Sequence, residues 1–141
     1  MKFQLITLTG VKFDQDIAEV SLPTAAGQIA VLPHHEPLVS LAVPGVITVR
    51  QKATDGDDKL EHFATEGGIV EVTSTGVRIL VDEADHASEI HEAEAQKALQ
   101  RALDMRAKAK DKVELDHAQQ LIDRAQVRLQ VANLRRRHRE R

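Results

Sequence analysis

The chain has 141 residues, 42% hydrophobic and only 2% aromatic, so it is long enough for one ordinary domain or two small ones with an aliphatic core. It has no cysteine, which excludes disulfides and thiolate metal sites. The net charge of −3 hides an asymmetry: residues 1–85 carry six Lys/Arg against thirteen Asp/Glu, and residues 86–141 carry thirteen against nine. The two stretches are therefore expected to be different objects.

Residues 1–85 read as β structure. Phe3, Leu5 and Ile6 belong to a first short strand that Gly10 ends, and Ile17 to Leu22 alternate as a second that Pro23 stops. Ile29 to Leu32 and Leu38 to Val43 are two more, joined by a bend in which Pro33 and Pro37 remove two backbone donors. Val46 to Val49 follow, then a turn over Thr54 to Asp58, then strands at Leu60 to Ala64, Ile69 to Val72 and Val77 to Val81. Short strands with frequent turn signals imply an antiparallel sandwich or barrel.

From His86 onward there is no Gly and no Pro. Ala95, Ala98, Ala102, Met105 and Ala109 form one apolar seam at a period of 3.5, and Ala118, Ile122, Ala125, Leu129 and Ala132 form another. The seams are out of phase by two residues, a rotation of ~200° on a helix, so one straight helix would carry them on opposite sides. A break within Lys108 to Leu115 and an antiparallel hairpin are expected. Asp111 with Glu114 resembles a capping box at the start of the second helix. The fold class is therefore α+β in two parts: an N-terminal antiparallel β sandwich (1–85) followed by a C-terminal α-helical hairpin (86–141).

Two patches carry a resemblance. Gly27, Gln28, Ile29, Val31, Leu32, Pro33, His35, Pro37, Leu38 and Ser40 resemble the signature of the epsilon subunit of bacterial-type F1Fo ATP synthases. Glu66 to Val72 followed by Val77 to Val81 is similar to a second patch of that family, and the similarity keeps its order along almost the whole chain. It implies a flattened ten-stranded β sandwich in a central-stalk rotor subunit. It also implies contacts with the gamma subunit and the c-ring of Fo, and coupling of proton-driven rotation to ATP synthesis. Aligned positions imply Gln28, His35 and Ser40 as c-ring contacts. The resemblance further implies that the C-terminal helices reach acidic segments of the α and β subunits and block ATP hydrolysis. Arg128, Arg135, Arg136, Arg137 and Arg139 are the basic side chains for that contact, and Val127, Val131 and Leu134 offer a further apolar stripe.

The segment around Ile90, His91 and Glu94 aligns with an ATP-binding motif of some relatives. Here His91 replaces an Asp and Glu94 replaces an Arg, and a carboxylate repels a triphosphate, so no cofactor is expected. His34, His35, Glu36 and His62 lack the spacing of a metal-ligand set, and Gly67-Gly68 reads as a turn rather than a phosphate cradle because no helix follows. The basic tail, Leu134 to Arg141, is not read as a nucleic-acid site, since stacking aromatics are absent. No nucleophile with a paired base occurs. No apolar run approaches the ~20 residues that span a bilayer, and no signal-peptide pattern opens the chain. Membrane association is expected through a partner, at the cytoplasmic face of the bacterial plasma membrane. The rival readings are an unrelated sandwich-plus-coiled-coil adaptor and a cupin-like metal enzyme.

Overall fold

A computed structural model describes residues 1–140; Arg141, the last basic residue of the tail, lies outside the described residues. Ten strands precede two helices: β1 Lys2–Thr7, β2 Gly10–Asp16, β3 Glu19–Thr24, β4 Gly27–Val31, β5 Leu38–Ala42, β6 Gly45–Arg50, β7 Glu61–Thr65, β8 Gly68–Val72, β9 Gly76–Val81, β10 Ala84–His86, α1 Glu92–Ala107 and α2 Lys112–Arg139. The strands form one sheet in the order β10-β7-β6-β3-β5-β8-β9-β1-β2, with β4 paired to β3. The sheet folds over on itself around buried aliphatic side chains and three phenylalanines, including Phe3, Leu5, Val20, Leu22, Ile47, Val70 and Ile79. That is the sandwich expected from the period-2 alternation.

Four local expectations are corrected. β1 ends at Thr7, and Gly10, expected to end it, instead starts β2, which pairs antiparallel with β1 and buries only Phe13. Pro23 does not stop β3; it lies inside it opposite Gln28, and its carbonyl accepts from the Val43 amide at 3.0 Å. The sheet is not wholly antiparallel, because β1 runs parallel to β9. The β structure also runs past residue 85 through β10, which pairs with β7.

The break between the helices falls at residues 108–111. Asp111 caps α2 by accepting from the Glu114 amide at 2.8 Å, and the Glu114 carboxylate accepts from the Lys110 amide at 2.9 Å. The reciprocal bond therefore reaches one residue further back than a capping box requires. Small residues let the two helices approach closely: Ala95, Ala102, Ala118, Ile122 and Ala125 are buried. Ala98 and Leu129 are half-buried, and Met105 stands at the rim, 42% exposed.

Candidate functional site

The sandwich has two outer faces, and they are treated differently. Over β6 and β7 lies α2, whose Val131 and Ala132 bury Val46 and Ala64 together with Ala87 and Ile90. Val127 and Leu134 flank the same cluster. The apolar stripe of α2 is thus occupied by the chain's own sheet in this arrangement. Ile90 serves here as core, 4% exposed, while His91 is the residue before α1 and Glu94 lies on the wall of a groove of about 360 Å³ between the helices.

Charge reinforces this apolar seam. Arg124 contacts Glu66 at 3.0 Å and also Glu83, and Arg128 contacts Asp85 at 3.0 Å. Arg135 donates to the Ala87 carbonyl at 3.2 Å, and Arg136 lies 3.7 Å from Glu92. Arg137 and Arg139 are exposed. Burial holds the Glu66 carboxyl above its usual range, opposed by Arg124 and assisted by Glu83, Asp82 and Asp85.

The second outer face is open and apolar. Leu41 of β5 stands opposite Ile69 of β8, Ile69 opposite Leu80 of β9, Leu80 beside Ile6 of β1, and Ile6 opposite Val11 of β2. Paired residues share a sheet face, so these five form one continuous row across five strands. Leu41, Ile69, Leu80 and Val11 are 63%, 50%, 45% and 60% exposed. Such a contiguous row marks an interaction surface rather than scattered surface leucines. Sequence reasoning missed it, because each residue reads singly as the apolar half of an alternating strand.

The three positions Gln28, His35 and Ser40 are not brought together. Gln28 is exposed at the start of β4, where its amide donates to Ser21 Oγ at 2.8 Å. His35 lies beyond the opposite end of β4, its Nδ1 2.7 Å from the Glu36 carbonyl. Ser40 is in the middle of β5, on the side of Leu38 and Ala42 rather than of the exposed Val39 and Leu41. His62 is remote from that bend as a ligand partner: it is buried in β7 beneath α2, with Nδ1 3.0 Å from Thr48 Oγ1. Among the described residues no group of three or more His, Asp or Glu side chains is arranged to hold a metal ion.

Residues 1–87 match the family described as ATP synthase, Delta/Epsilon chain, beta-sandwich domain. The chain is 32% identical over 136 residues to an ATP synthase epsilon chain of Herpetosiphon aurantiacus, covering 96% of each. The chain belongs to the ATP synthase epsilon family. It is 34% identical over 132 residues to the epsilon chain of Latilactobacillus sakei, covering 92% of this chain and 90% of that one. A chain in the Euglena gracilis mitochondrial ATP synthase shares the fold, with a TM-score of 0.78 at 24% identity over 93% of this chain and 79% of that one. As an epsilon chain the protein is a rotor subunit of an F-type ATP synthase. No helix among the described residues is long and apolar enough to cross a membrane.

Proposed function

We propose that this epsilon chain is the non-catalytic clamp of the central stalk: its sandwich, through β10, holds the gamma subunit to the c-ring, and its helical pair α1 and α2 restrains ATP hydrolysis. The observation that carries the clamp is the apolar row Leu41–Ile69–Leu80–Ile6–Val11 on the face that the helices leave open. Gamma docks on that row, because burying it removes from water the one broad apolar surface the sandwich exposes. A well-packed aliphatic core then transmits torque without yielding.

The c-ring contact belongs to the end of the sandwich that carries Gln28 and the small Ala25-Ala26 turn. What supports this end is that Gln28 is exposed there, whereas the His35 ring is bonded to its own bend and Ser40 faces inward. The subunit would thereby be held at the cytoplasmic face of the bacterial plasma membrane without inserting into it. Restraint of hydrolysis requires α2 to leave the sheet. Docked, Arg128 and Arg135 are engaged by Asp85 and the Ala87 carbonyl; released, they join Arg136, Arg137 and Arg139 as a basic edge for acidic segments of α and β. Docked and inhibitory states thus compete for the same side chains.

The test is reconstitution with a charge placed in the row. Ile69→Glu and Leu80→Glu sit on a half-exposed surface, so the fold should survive, while incorporation into the assembled complex should be lost. Incorporation equal to wild type would move the gamma contact elsewhere.

A further inference from the structure

We propose that the contact between His62 of β7 and His138 of α2 is an acid-released latch, which holds the C-terminal end of α2 on the sheet only while the His62 ring is neutral. The geometry is that of a buried, half-satisfied imidazole under the C-terminal end of α2. His62 is 6% exposed, its Nδ1 is taken by Thr48 Oγ1, and its Nε2 is buried without a partner. The His138 ring meets it edge-to-face, with centroids 5.4 Å apart and planes at 84°. Neutral rings can make this contact; a proton on His62 would be buried with no carboxylate within reach of Nε2.

Glu61 and Asp58, the carboxylates that line the same cavity as His62, make no bond to its Nε2. From β10, His86 faces the site, its Nε2 committed to Glu61 at 3.3 Å. From α2 come Arg135, His138 and Arg139, none of them acidic. Thr48 on β6 is uncharged, and Asp58 on the turn before β7 lines the same cavity of about 220 Å³. Burial first, then His138 and His86, push the His62 imidazole down to about 4.

The direction of the linkage follows. A base whose value is depressed in the docked form loses docking stability as pH falls. The contact is at full strength above the free-histidine range near 6.5, and weakens progressively between there and about 4. With those two limits the open population of the α2 end rises roughly 30-fold between pH 7.5 and pH 5. Glu66 acts oppositely: its carboxyl is raised by burial, so its protonation favours the docked form.

The experiment is amide hydrogen exchange on the free full-length chain at pH 7.5 and pH 5, corrected for intrinsic chemistry. It needs no partner subunit, so its failure leaves the rotor assignment standing. Wild type should lose protection roughly 30-fold at Val131 to His138 while Ile79 and Val70 in the sandwich keep theirs. His62→Phe, which cannot take a proton, should give a flat or slightly reversed dependence; His62→Gln serves the same end should the phenylalanine fail to fold. Unchanged protection in wild type, or the full loss persisting in both variants, overturns the latch.

Discussion

Phe13 and Phe63 stand near opposite ends of the strand order, on β2 and β7, yet their ring centroids lie 5.8 Å apart at 81°. Phe3 also meets Phe13, with ring centroids 5.5 Å apart. With no Trp or Tyr in the chain, these three rings are the whole aromatic content, and they sit where the folded-over sheet closes on itself. Phe13→Ala removes the middle ring and should cost about 3 to 5 kcal/mol. The measurement is urea unfolding of the purified chain. A loss below about 1 kcal/mol would mean that the closure rests on the aliphatic side chains alone.

Gly68 is a position where only hydrogen fits. Its φ is +158°, and a Cβ there would lie 1.9 Å from the Leu80 carbonyl oxygen. Gly27 also has positive φ, +115°, but a Cβ there meets nothing within 4 Å. Gly27→Ala should therefore cost about 1 kcal/mol of backbone strain, whereas Gly68→Ala must also push β8 away from β9 and should cost more than about 3 kcal/mol. Thermal melts of the two variants side by side check the order; equal losses would contradict it.

Ala118 is fully buried between the helices and Ala102 is 1% exposed. Ala118→Leu drives extra methylenes into that contact and should destabilise the hairpin by about 1 to 3 kcal/mol. The sandwich core draws on residues of the strands and their connections and on no helix residue, so exchange should accelerate in α1 and α2 while β9 stays protected. Accelerated exchange throughout would show that hairpin and sandwich unfold as one unit.

Arg128 and Asp85 are each about one-quarter exposed. Arg128→Ala should loosen α2 by about 1 kcal/mol, an amount held down by residual solvent screening. The same loosening should appear in wild type at high salt and be absent from the variant, which separates lost charge from lost packing. A variant that retains the wild-type salt dependence would remove Arg128 from the docking contact.

Removing Ala87 to Arg141 uncovers Val46 and Ala64 but leaves the sandwich core intact. Such a truncated chain should still assemble, and the reconstituted F1 complex should hydrolyse ATP faster. Unchanged hydrolysis would limit the protein to its clamping role.

The helical half was legible because alanine spacing is a local signal, and the phase slip between Met105 and Ala118 located the break. Much of the sheet was legible from alternation, but β2 was not: in Gly10–Asp16 only Phe13 is buried, so no period shows. Pro23 read as a terminator because the bond that keeps its carbonyl in the sheet comes from Val43, twenty residues further on. Gln28 and His35 were grouped as one contact by the family resemblance, but β4 runs between them and carries them to opposite ends. The histidine latch was invisible for the converse reason, since folding alone unites His62, His86 and His138.

The most direct test of the clamp is equilibrium binding of the purified chain to a purified gamma subunit, by calorimetry, with Leu80→Glu as the paired control. The account predicts a one-to-one complex for wild type and at least about a hundredfold weaker binding for the variant, since a buried unpaired carboxylate costs several kcal/mol. Absence of binding by wild type, or equal binding by both, would contradict it.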